Sequence, residues 1–143
     1  MIRLSALVGQ KAIALGDASA TGVVKGIGIV GDQIVSVELS DRVVPATAVR
    51  SFEGDVLTYD EQATTKDADV TLLDPRGSRV LDMHGDGLGT IQDLAITESG
   101  RIDSILLSTG DAVPGSRLRA IGTYAAVLTV DLPPPTGAPV AGP

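Results

Sequence analysis

The chain has 143 residues, no cysteine and a net charge of −7, with 43% hydrophobic but only 2% aromatic residues. The missing cysteines exclude disulfides, thiolate zinc sites and cysteine nucleophiles. The acidic balance opposes a surface built to neutralise phosphates or anionic lipid, although Arg50, Arg117 and Arg119 stand near related strand starts.

Short apolar runs alternate with Gly, Asp, Ser and Pro from end to end, and no window carries a clean helical stripe. Val, Ile, Leu and Ala must fill the core, which suits thin β-structure. In chain order the pattern predicts strands at Lys11–Leu15, Gly22–Val30, Gln33–Leu39, Val43–Pro45 and Val56–Tyr59. A polar joint follows at residues 61–69. Further strands are predicted at Arg79–Met83, Gly89–Thr97, Arg101–Ser108, around Val113, and at Ala126–Asp131. Gly31-Asp32 suits a two-residue type II′ hairpin turn, and the matching turn is longer and ends at Gly100. Residues 133–143 (PPPTGAPVAGP) lack ladder donors and are expected to form a Pro/Gly-rich, unpacked tail.

The chain says the same thing twice. Gly9 answers Gly77, Gly22-Val23-Val24 answers Gly89-Thr90-Ile91, Gln33-Ile34 answers Arg101-Ile102, and Val44-Pro45 answers Val113-Pro114, at spacings of 67 to 69 residues. Self-similarity at a fixed period fixes architecture before local assignments do. It predicts a first module over residues 1–60 and a second over 70–132, related by internal duplication. Modules of roughly 60 residues are marginal alone, so they should pack together or against a partner. Val24, Ile27 and Ile29 are matched by Ile91, Leu94 and Ile96. The first step is three rather than two, so a β-bulge after Val24 and after Ile91 is needed to bring all six inward.

Gly77-Ser-Arg-Val-Leu-Asp82, Gly89-Thr-Ile-Gln-Asp93-Leu-Ala-Ile96, Gly100-Arg-Ile-Asp-Ser-Ile-Leu-Leu107, Val113-Pro114 and Arg119-Ala-Ile-Gly122 together resemble the PRC-barrel family, small β-barrels named after the photosynthetic reaction-centre H subunit. The first half resembles it through Leu4, Gly9, Gly22, Gln33–Leu39 and Pro45–Arg50. The resemblance implies a mainly β protein of two tandem PRC-type barrels. It also implies the family's protein-binding roles: a cytoplasmic cap on membrane photosynthetic complexes, or the C-terminal part of a ribosome maturation factor. It carries over no catalytic residues. The chain lacks the H subunit's membrane helix and a recognisable N-terminal domain of the ribosome factor. Gly26 stands where Asp93 stands, and Ala14 where Asp82 stands, so any role of those aspartates belongs to the second module alone.

Few residues carry chemistry. Asp82, His84 and Asp86 form the densest polar cluster, but an enzymatic zinc site needs three fixed ligands and a calcium loop has another spacing. His84 is the single histidine. Asp and Gly in such a run read as a strand-to-strand turn. Gly85-Asp86-Gly87-Leu88-Gly89 has no Lys-Ser/Thr or helix after it, so it reads as a hairpin rather than a phosphate loop. Asp82 and Asp93 are expected to be structural, accepting bonds from turn and bulge amides. No catalytic residue, cofactor or metal site is assigned.

The expected function is a noncatalytic interaction or assembly module, docking on the cytoplasmic face of a membrane complex. Nucleic acid is unfavoured as a partner, and a homodimer or a hetero-complex is expected. The other classes are a ribosome- or RNA-associated maturation factor and a small-ligand binder with a pocket between the barrels. No run approaches the roughly 18 apolar residues of a membrane span, and Met1–Leu15 is no convincing secretion signal, so a cytoplasmic protein is expected. The candidate contact strand carries Ile102, Ile105, Leu106 and Leu107. It is apolar on both faces and therefore needs cover on both, with Ile105 or Leu106 expected on the covered outer side.

Overall fold

The alternating apolar segments form strands, and their pairing builds two sheets. A computed structural model describes residues 1–16, 18–60 and 71–129. The expected joint at 61–69, the tail at 133–143 and the end of the last strand lie outside those residues. The elements of the first half are β1 (Ile2–Arg3), α1 (Leu4–Leu7), β2 (Lys11–Ala14), β3 (Ser19–Val30), β4 (Gln33–Leu39), β5 (Val43–Pro45), β6 (Val49–Ser51) and β7 (Leu57–Tyr59). The second half contains β8 (Leu72–Leu73), β9 (Arg79–Asp82), β10 (Gly87–Ile96), β11 (Ile102–Leu107), β12 (Ala112–Pro114), β13 (Leu118–Ile121) and β14 (Ala125–Leu128).

The protein is mainly β, in two seven-stranded sheets. One runs β5-β4-β3-β2-β7-β6 and the other β12-β11-β10-β9-β14-β13, so the two share a single strand order. In each, two strands pair in parallel, β2 with β7 and β9 with β14, among antiparallel neighbours. Short 3-10 turns, Ala46–Ala48 and Gly115–Arg117, lead from β5 to β6 and from β12 to β13. Pro45 and Pro114 precede these turns with φ of −66° and −56°, within the range the proline ring already fixes. The expectation of two barrels meets a limit here, because among the described residues no ladder joins the two ends of either sheet and no closed barrel is found.

The seventh strand of each sheet comes from the other half. β1 pairs with β10, Ile2 opposite Ile96 and Arg3 opposite Ala95. β8 pairs with β3, Leu73 opposite Ile27 and Leu72 opposite Gly28. The leading strands are thus exchanged reciprocally. Between the hairpin tips, Gln33 bridges Arg101, the Ile34 N–H donates to the Gly100 carbonyl at 2.9 Å, and the Ile102 N–H donates to Asp32 at 2.7 Å. Buried residues of both halves form one apolar cluster, from Ile2, Leu4 and Leu7 through Ile27 and Val37 to Leu94, Ile105 and Leu128. Two halves too small to bury enough surface alone share a single interior.

The bulges fall where the three-residue steps require them. Register shifts lie between Val24 and Gly26 and between Ile91 and Asp93, and Val24, Ile27, Ile29, Ile91, Leu94 and Ile96 are all buried. The turns follow the glycines. Val30 pairs with Gln33 across Gly31-Asp32, and Gly31 has φ +61° while Asp32 is not left-handed, as a type II′ turn demands. Gly100, at φ +87°, closes the longer turn. Pattern reading missed β1, α1, β6, β8 and β13, whose two to four residues are too few to show a period.

Candidate functional site

The hairpin strand β11 was the expected contact surface. The chain itself buries three of its four candidates: Ile102 and Ile105 are fully covered and Leu107 is 5% exposed. Ile105 sits between Leu94 on β10 and Val113 on β12, inside the sheet's packed face. Leu106 is half-buried. It lies opposite Asp93 and Ala112 and, by strand alternation, on the other side from Leu107. Of the two residues expected at the outer face, Leu106 is therefore the one with surface to offer. The cover of Ile102, Ile105 and Leu107 comes from within the chain, as part of the apolar cluster that includes residues of both halves.

Asp93 sits on the β10 bulge and is 8% exposed. One carboxylate oxygen accepts the bulge N–H of Leu94 at 2.8 Å and the N–H of Ser5 at 3.0 Å; the other accepts the Ser5 hydroxyl at 2.6 Å. Ser5 lies in the first turn of α1, a helix whose own Arg3 provides no side-chain cap. Asp93 thus satisfies an orphan helix amide from the opposite half, the task of an N-cap residue. At the corresponding bulge of β3 stands Gly26. A Cβ there would lie 2.8 Å from the Leu73 carbonyl oxygen and 3.1 Å from Glu38 Oε1. The close approach of β8 leaves no room for a side chain, so the two bulges cannot carry the same residue.

Asp82, also 8% exposed, accepts the N–H groups of His84 at 2.8 Å and Asp86 at 2.9 Å with the same oxygen. The turn is closed further by Asp82 N–H to the Asp86 carbonyl and Gly85 N–H to the Asp82 carbonyl. His84 enters this network through its backbone, and its side chain is exposed. Among the described residues no group of three His, Asp or Glu could hold a metal ion. The carboxyl of Asp74 is held below its ordinary range by its fork of hydrogen bonds with the Arg76 guanidinium. This pair is about one-third exposed and belongs to the turn before β9.

A groove of about 710 Å³ is lined by residues of the second half. Leu88, Leu107, Val113 and Leu128 supply apolar walls, with Thr109, Asp111, Arg117 and Thr129 around them. The groove lies where β12 and β13 fail to meet, beside the 3-10 turn that connects them. Gly87 and Gly89, read from sequence as a hairpin, begin β10 and line it. Sequence reasoning missed this groove because its residues come from separate stretches of the chain, from Gly87 to Thr129. The usable signal was the matched order of strands in the two sheets. Tyr59 pairs with Ala14 and Val49 as Leu128 pairs with Asp82 and Leu118, so Tyr59 stands where Leu128 stands.

Among the described residues no helix is long and apolar enough to cross a membrane. No protein-family model matches the chain, and a search of the curated proteins returns no match.

Proposed function

We propose that this protein is a noncatalytic interaction module of the PRC-barrel type, with two modules related by internal duplication. It acts in the cytoplasm by contact with a protein partner, at the cytoplasmic face of a membrane complex. The shared strand order of the two sheets carries the reading, and matched hydrogen bonds support it. Gly9 N–H donates to Val24 as Gly77 N–H donates to Ile91; Val24 N–H donates to Gln10 as Ile91 N–H donates to Ser78. Ser40 and Ser108 accept the N–H groups of Val23 and Thr90 in the same way. Repetition of a scaffold without repetition of its polar residues suits a binding body better than a catalyst.

Leu106 marks the contact surface in this reading. In the first half its counterpart is Glu38, since Glu38 pairs with Gly26 where Leu106 pairs with Asp93. An apolar residue at the second site against a carboxylate at the first gives one half a stickier outer face. The test is affinity capture with the full chain and with Leu106→Asp, compared by quantitative mass spectrometry and by sedimentation for self-association. The expected outcome is a partner, or a second copy, held by the wild type and lost from a variant with an unchanged unfolding midpoint. Equal capture by both chains removes Leu106 from the contact.

A further inference from the structure

The turn between β9 and β10 contains two neighbouring residues whose identities the fold does not use. It runs Asp82-Met83-His84-Gly85-Asp86-Gly87. Asp82 holds it by accepting the N–H groups of His84 and Asp86 and by donating its own N–H to the Asp86 carbonyl. Asp86 therefore takes part through its backbone, and it is exposed. The glycines on either side of Gly87 have conformational reasons. Gly85 and Gly89 adopt φ of +87° and +104°, and a Cβ on Gly89 would lie 2.9 Å from Ser108 Oγ. Gly87 is outside the left-handed region, and a Cβ there would meet nothing within 4 Å. An alanine fits that position.

What distinguishes the pair is chemical. Asp86-Gly87 is the sole Asp-Gly step in the chain, which contains no asparagine. Glycine leaves its N–H unshielded and its backbone free to close a ring with the preceding carboxyl. We propose that Asp86 is a site of spontaneous modification to isoaspartate, formed by its own backbone. The Gly87 nitrogen attacks Asp86 Cγ. The C–N bond forms as one carboxyl oxygen leaves as water, taking the amide proton and a proton from solvent. Water then opens the succinimide. Attack at Cγ restores aspartate, and attack at the α-carbonyl leaves the chain running through Cβ and Cγ. Asp103-Ser104 is the contrasting step. It lies within β11, where Ser104 stands between Ala95 and Pro114 of the flanking strands, and the chain there has no freedom to close a ring. At residue 86 the product changes what the turn holds. The carbonyl that accepts from Asp82 becomes a pendant carboxylate, and a methylene is added to the chain ahead of Gly87. Gly87 pairs with Leu81, and Gly87, Leu88 and Gly89 line the groove. Isoaspartate thus shifts the start of β10 and the wall of the groove it forms. This site is independent of the interaction-module reading.

The test incubates the full chain at physiological temperature, folded and, in parallel, unfolded in urea. Isoaspartate is counted with an isoaspartyl carboxyl methyltransferase and radiolabelled S-adenosylmethionine, and placed by electron-transfer fragmentation of peptides. The proposal expects methyl-accepting sites to accumulate with time at residue 86 of the folded chain. They should be absent from Asp86→Glu and form many-fold more slowly in Gly87→Ala. Both variants keep the backbone bonds of the turn, and circular dichroism checks that they fold. The modified form, separated by chromatography, is expected to show shifted amide NMR signals at Leu81, Leu88 and Gly89. Accumulation confined to the unfolded chain or to other residues, or equal rates in wild type and Gly87→Ala, overturns the proposal. Unchanged signals at Leu88 and Gly89 overturn the effect on the groove. Should a variant not fold, the comparison of folded with unfolded wild type decides.

Discussion

Asp93 shows what one side chain does in this fold. Its carboxylate joins a bulge amide of the second half to the first turn of α1 in the first half, so it extends the tie between the halves just beyond the end of the β1–β10 ladder. Replacing it by Ala leaves the Ser5 amide and hydroxyl and the Leu94 amide without their acceptor. Asp93→Ala is expected to lower stability by about 1–3 kcal/mol, measured by urea denaturation. Ser5→Ala, which keeps the amide bond and loses the hydroxyl, is expected to cost less. Equal midpoints for wild type and Asp93→Ala would show that water replaces the carboxylate at no cost. The presence of Asp at 93 and Gly at 26 was legible as a difference between the halves. Its cause was not, because Gly26 answers to a Leu73 carbonyl far along the chain.

At the scale of the element, the long strands β3 and β10 organise each half. Each serves two partners on one side: β3 pairs with β2 and then β8, and β10 with β9 and then β1. A bulge between those partners bends the strand and turns its second segment to the core. Leu94 is the first core residue after the bulge on β10 and is 1% exposed. Leu94→Ala should cost about 2–5 kcal/mol, read as a shifted denaturation midpoint with an unchanged slope. A midpoint that does not move would contradict the inward assignment. The bulge was legible because side chains alternate strictly along a strand, so a three-residue step between inward residues requires an extra residue in the ladder. The short strands were not, since β1 and β8 are strands only by virtue of the sheets they join.

For the whole molecule, reciprocal strand exchange and one continuous core make the halves thermodynamically dependent. Neither sheet is complete without two residues from the other half, and the apolar cluster crosses between them. Unfolding is therefore expected to be a single cooperative transition for residues of both halves. Ile27→Ala in the first half and Leu94→Ala in the second should lower the same midpoint by calorimetry and by circular dichroism. Two separable transitions, each answering to one substitution, would defeat this view.

The amino-acid sequence by itself determined the β class, the matched positions of the two halves and their spacing, the hairpin turn at Gly31-Asp32 and the inward faces of β3 and β10. All of these are local patterns of apolar period and glycine placement. Only the tertiary structure decided that the leading strands are exchanged, that the sheets stay unclosed among the described residues, that β11 is covered from within the chain, and that a groove opens beside Leu128. Each depends on which distant segment arrives at a given edge. A two-residue strand such as β1 or β8 has no period of its own, so its place is set by backbone hydrogen bonds and burial that exist only once the other half has folded.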